Sequence, residues 1–190
     1  MSEDAEESFA DTARMIALNA RLRWACHAIR AGALAWIVLD GGVSLWLWTD
    51  RSGILDRLNK LYGIDLSGVS TPRYLGALFM MILSLCAAAV FVFYLWRLAR
   101  VYLDGRVFTL EAAARMREMA LAGLAAALVD IVVRPIGSAI LSVELLNKVP
   151  FYHWFNPTDL LYLLISGFIF ALGTIFRSAA KIAEDNARIV

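Results

Sequence analysis

Apolar positions along the chain gather into four long runs separated by polar stretches, covering roughly residues 31–48, 75–96, 120–143 and 160–176. A helix crosses the hydrocarbon core of a bilayer with about 20 apolar residues, at about 1.5 Å of rise per residue. The pattern therefore predicts four transmembrane helices. The runs Leu75–Trp96 and Leu160–Phe176 carry no charge. The first run holds Asp40, and the third holds Asp130, Arg134 and Pro135. A charge near the bilayer centre costs several kcal/mol on insertion scales, so these two spans are where a functional site is to be sought.

The polar stretches carry patterns of their own. Phe9, Ala13, Ile16, Ala20 and Trp24 recur at helical spacing, so residues 1–30 read as a cytoplasmic amphipathic helix leading into the first span. In "GILDRLNKLYGIDL", Ile54, Leu58, Leu61 and Tyr62 share one face and predict a short helix on the outer membrane surface. "PFYHWFNPTD" reads as an aromatic outer loop with turn residues Asn156 and Pro157. In "YLDGRVFTLEAAARMREM", Asp104-Gly105 ends one helix and Thr109 caps the next, with Glu111 in its first turn. The second and third spans then extend beyond the membrane as helices joined by a tight hairpin. Residues 177–190 form a tail.

Composition agrees with this reading. Of 190 residues, 61% are hydrophobic and 18% charged, against about 45–50% and about 25% in ordinary soluble domains. Twelve Lys and Arg fall in the N-terminal segment, the second connection and the tail, against six on the other side. Both termini are therefore expected in the cytoplasm. Trp46, Trp48, Tyr74 and Trp154 then sit at the outer interface and Trp96 at the inner one. The N-terminus "MSEDAEES" lacks the basic start of a secretory signal, so the first span is expected to remain as an anchor. The fold class is thus an all-α integral membrane four-helix bundle of two transmembrane hairpins.

Asp40 and Asp130 each lie about nine or ten residues into their spans, near mid-membrane. Arg134 stands one turn beyond Asp130 on the same helical face, which allows an intramembrane ion pair. Pro135 removes a backbone donor beside it and is expected to kink the helix. Two readings stay open: a packing lock, or a hydrated polar site that senses or moves a proton, an ion or a small ligand. The halves of the chain also look alike, each with a central aspartate and with "FVFYLWRLAR" matched by "FIFALGTIFR". A parallel repeat of this kind would set Asp40 opposite Asp130. Gly123/Ala127 and Gly167/Ala171 have the small-xxx-small spacing of close helix seams.

Other chemistry is scarce. Cys26 and Cys86 show neither disulfide nor metal spacing. His27 and His153 belong to opposite faces, about 30 Å apart, too far to ligate one haem or metal. Phosphate loops, H-E-x-x-H and G-x-S-x-G are missing. No enzyme activity, cofactor or metal is expected. A net charge of +1 offers no surface for direct nucleic-acid binding.

Three segments resemble a family of small bacterial four-span membrane proteins, domain of unknown function 2975. They are "DGRVFTLEAAARMREMA" after the second span, "FIFALGTIFRSAAKI" closing the fourth, and the tail "AEDNARIV". The resemblance runs from Tyr74 to Val190. The acidic N-terminal extension and the Asp130–Arg134 pair depart from it. The resemblance implies the bacterial inner membrane, no enzyme activity, and a cytoplasmic partner of the small helix-turn-helix regulator type. By that implication Arg97, Arg100, Arg106 and Phe108 at the hairpin, with Glu184, Asp185 and Asn186 in the tail, are docking candidates. Their ordinary reading is positive-inside arginines, a helix cap and a solvated tail. The expectation is a membrane regulator acting through such a partner. The rivals are a small transporter or proton-coupled exporter, oligomeric and using Asp40, Asp130 and Arg134, and a structural subunit of a larger complex.

Overall fold

The computed structural model describes residues 3–107, 109–149 and 155–187, with side chains for 23–107, 109–147, 149 and 155–182. Six helices form among them: α1 (Glu3–Thr49), α2 (Arg51–Tyr62), α3 (Thr71–Leu103), α4 (Leu110–Leu141), α5 (Val143–Lys148) and α6 (Pro157–Ala187). No strand occurs among the described residues. Four stretches are long and apolar enough to cross a membrane: Arg23–Thr49, Thr71–Leu103, Leu110–Leu141 and Pro157–Ile182. The N-terminal segment and the first span are one continuous helix, α1.

The four long helices pack in chain order. α3 lies against α4 along the most extensive seam, α4 also against α6, and α1 chiefly against α3. Their outward faces stay apolar, as with Leu39, Val90, Phe93, Leu128, Val132, Leu164 and Phe168. Hydrocarbon can solvate those faces, so no hydrophobic drive pulls the spans together, and close packing and polar bonds must do so. Small residues permit the approach. A Cβ on Gly123 in α4 would stand 2.7 Å from the Ser166 hydroxyl of α6, and one on Gly173 in α6 would stand 2.8 Å from Arg117 Cγ. Gly167, expected at a seam, faces open space, and Gly173 takes that role. Two arginine–aromatic contacts join α1 to α3 and α4 to α6. Arg30 lies 3.7 Å over Trp96, and Arg117 lies 5.1 Å from the Phe170 ring.

One end of the bundle is closed by a cap. Asp50 accepts hydrogen bonds from Gly53 N (3.0 Å) and Ser52 Oγ (2.8 Å), so the chain turns from α1 straight into α2. A side chain at Gly53 would collide with that carboxylate. Gly63 ends α2 at φ 63°, a left-handed position suited to glycine. α2 lays Leu55 onto a buried cluster with Ile64, Leu66, Tyr74, Leu141 and Leu145, and Ile54, Leu58 and Tyr62 pack around it. Leu61, assigned to that face from its spacing, is 69% exposed, and Leu55 stands in its place. The helix rolls about its axis to meet a cluster that periodicity alone does not locate. Tyr74 is drawn inward from the expected interface, stacking on Trp48 at 5.4 Å and donating its hydroxyl to the Trp48 carbonyl.

The opposite end is the α3–α4 hairpin. Gly105 turns the chain at φ 77°, and Thr109 accepts from Ala112 N at 3.2 Å as the cap of α4, the roles predicted for both. Arg106 closes the turn, paired with Asp104 at 3.0 Å and Glu111 at 2.6 Å.

Candidate functional site

The polar residues of the spans meet between the bundle centre and the capped end. α4 supplies Asp130 and Arg134, one turn apart. α6 supplies Asp159 from its first turn, where the sequence N-P-T-D builds a reciprocal cap. Asn156 precedes Pro157, the first helical residue; Asp159 N–H donates to the Asn156 carbonyl and Asn156 N–H donates to Asp159 Oδ2, both at 2.8 Å. The cap holds the Asp159 carboxylate rigidly toward α4.

Arg134 grips that carboxylate with both arms. Nη1 donates to Oδ2 at 2.7 Å and Nη2 to Oδ1 at 2.9 Å, a two-pronged charge-assisted bond. Nη2 also donates to Asp130 Oδ2, the pair expected from the i,i+4 spacing. The other Asp130 oxygen accepts from Ser84 Oγ of α3 at 2.6 Å. One connected network thus ties α3, α4 and α6. Asp159 is its buried end, with a side chain 4% exposed, whereas Arg134 and Asp130 stand at 31% and 36%.

Asp40 on α1 completes the group differently. It lines two cavities together with Asp130, Ser84 and Leu85. One cavity, of about 400 Å³, runs beneath the cap past Trp48 and Tyr62. The other, of about 360 Å³, lies among α1, α3, α4 and α6. Among the described residues Asp40 makes no hydrogen bond or ion pair. Asp40, Asp130 and Arg134 thus line one cavity, and only Asp130 and Arg134 are bonded to each other. Reading the sequence missed Asp159, the principal partner of Arg134, and Ser84. The signal for Asp159 was present: an aspartate in the first turn of the span that neighbours α4, at the end where Arg134 lies.

Pro135 sits inside α4, whose helical backbone continues to Leu141. The helix ends at Ser142, which is extended and caps α5 by accepting from Glu144 N at 3.2 Å.

The docking candidates separate. Arg106 is held within the hairpin. Arg97 is half-buried, 5.7 Å and 5.9 Å from the rings of Phe93 and Tyr94. Arg100 is exposed. Phe108 and the side chains of Glu184, Asp185 and Asn186 lie outside the described residues.

Chemically, the site offers three carboxylates against one guanidinium, with hydroxyls alongside. Among the described residues no three His, Cys, Asp or Glu side chains converge to hold a metal ion. No curated protein and no solved structure matches the chain. A family model does, over residues 8–190, reaching well upstream of the segments that carried the resemblance. The chain belongs to that family, described as protein of unknown function (DUF2975).

Proposed function

We propose that this chain is a non-enzymatic transducer of the bacterial inner membrane, with both termini in the cytoplasm. The polar site at the outer half of the bundle responds to a ligand or to the state of the membrane. The α3–α4 hairpin carries that response to a cytoplasmic partner, a small helix-turn-helix regulator. One observation carries the reading: the Ser84–Asp130 bond joins the two helices whose far ends are tied by the Arg106 clamp. A change at the site bears on a rigid two-helix lever of 33 and 32 residues. Signalling through it requires that the lever take two positions whose equilibrium both ends bias. The residues facing the partner are Arg100 and the tail residues Glu184, Asp185 and Asn186, with Arg106 shaping the tip.

Capture of partners by the intact protein from its native membranes tests this reading. The expected result is one small DNA-binding protein, lost on Arg106→Ala or on deletion of residues 184–190. A clean capture without such a protein overturns it.

A transport reading draws on a different observation, the unpaired Asp40 between two cavities. Four spans are few for alternating access, so a dimer is required. Flux through proteoliposomes that depends on Asp40 and Asp130 would favour it, and flux unchanged by Asp130→Asn would sink it.

A further inference from the structure

We propose that the cavity among α1, α3, α4 and α6 is a binding site for a small organic ammonium cation, held by Asp40 and an aromatic wall. The proposal rests on the reading of this region as the responsive end of the molecule and names the chemical class of its ligand.

Charge comes first. The groups facing Asp40 across the two cavities are Asp130, Arg134 and Asp159. Arg134 is fully engaged by Asp130 and Asp159, so the negative charge of Asp40 is left without a counter-ion. A carboxylate at membrane depth is expensive and is ordinarily paired or functional. Asp40 is exposed at the mouth of both cavities and has no ion-pair partner among the described residues, which favours the second case.

The wall supplies the class of ligand. Trp36 stands one turn from Asp40 on α1, and Phe91 of α3 and Tyr162 of α6 line the same space. Aromatic faces carry negative charge density and attract cations; Trp36 is 50% and Tyr162 55% exposed, so this wall opens at the bundle surface. Ala88, Ala126 and Ala127 add small apolar surface beside the carboxylates of Asp130 and Asp159. At about 360 Å³ the cavity falls in the range of small-molecule sites. A cation with an apolar body fits such a lining. A bare metal ion does not, because the carboxylates do not converge on one point.

The experiment uses the full-length protein in nanodiscs of zwitterionic lipid, titrated with benzyltrimethylammonium chloride and followed by calorimetry. Sodium chloride at equal ionic strength is the comparison. Saturable binding of the ammonium ion is expected, weakened about tenfold by Asp40→Asn. Trp36→Phe should retain most of the affinity and Trp36→Leu should lose several-fold, since only the former keeps a π face. That pair stands even if Asp40→Asn fails to fold. Absence of saturable binding, binding indifferent to Asp40→Asn, equal affinity in the two Trp36 variants, or binding matched by sodium would each overturn the proposal. No partner protein is present in this assay. Its failure therefore leaves the regulatory reading to the capture experiment, and a failed capture leaves a measured site standing.

Discussion

Asp40 and Asp130 occupy matching places in the two halves of the chain and live in opposite surroundings. Each lies near the middle of the first span of its hairpin. Four residues on, Asp40 is followed by Ser44 and Asp130 by Arg134. From that one difference the rest follows. Arg134 binds Asp130 and reaches across to Asp159, and Ser84 bonds the remaining Asp130 oxygen. Asp130 becomes a structural element joining three helices, while Asp40 keeps its charge free at the edge of two cavities. The same side chain at similar depth thus serves as a lock in one half and as an open acceptor in the other. What separates them is the availability of a cation within one helical turn.

Substitutions that exchange those roles test the contrast, beginning with the most damaging. Arg134→Gln leaves the buried Asp159 carboxylate without its partner. We expect a loss of about 3 kcal/mol in thermal or denaturant unfolding of the solubilised protein, the low end for a buried pair because Arg134 is 31% exposed. A loss below about 1 kcal/mol would show that the network does not hold the bundle. The double-mutant cycle of Arg134→Gln with Asp159→Asn should give a coupling of about 2 kcal/mol, larger than the cycle with Asp130→Asn. The reverse order would return Asp130 to the place of principal partner. Asp130→Asn alone should cost about 1 kcal/mol, since the amide oxygen can still accept from Ser84 and the site is part-exposed. Asp40→Asn should leave stability within about 0.5 kcal/mol. If it destabilises as much as Asp130→Asn, the two aspartates are not different in kind.

A fourth aspartate, outside the spans, is the mildest test. Hydrogen bonds from Gly53 and Ser52 hold the Asp50 carboxyl below its ordinary range. Its folded-state pKa is depressed, so its contribution is complete above the ordinary carboxylate pKa and disappears as pH falls through the lowered value. Acidification should therefore fray α2 first, visible as lost protection of the Ser52 and Gly53 amides relative to their intrinsic exchange rates, with the Arg134 network still intact. Protection unchanged at low pH would mean that the carboxylate does not cap α2.

The two ends of the bundle extend the same lesson. The capped end is held by apolar burial around Leu55, Ile64, Leu66 and Leu145, where water supplies the hydrophobic drive. Deeper in, lipid removes that drive, and ion pairs and hydrogen bonds hold the helices instead.

Much of this was legible in the residues. Four apolar runs announced the spans, Thr109 and Gly105 announced the hairpin, and the i,i+4 spacing announced the Asp130–Arg134 bond. These signals are local: they depend on one helix or one turn. Asp159, Ser84 and Ser166 escaped because each matters only through a neighbour on another helix. Leu55 and Gly173 escaped for a related reason, since spacing defines a stripe but not which edge of it meets the partner.

The sequence by itself therefore determined the number of apolar spans, the hairpin cap and the place of the charges along their helices, because hydropathy and helical geometry act within a segment. Only the tertiary structure decided which charges are satisfied. Setting α6 against α4 gave Arg134 to Asp159, and setting α1 chiefly against α3 left Asp40 beside a cavity without an ion pair among the described residues. In a low-dielectric interior the cost of a charge depends on partners a few ångströms away, and those distances are properties of the packed helices.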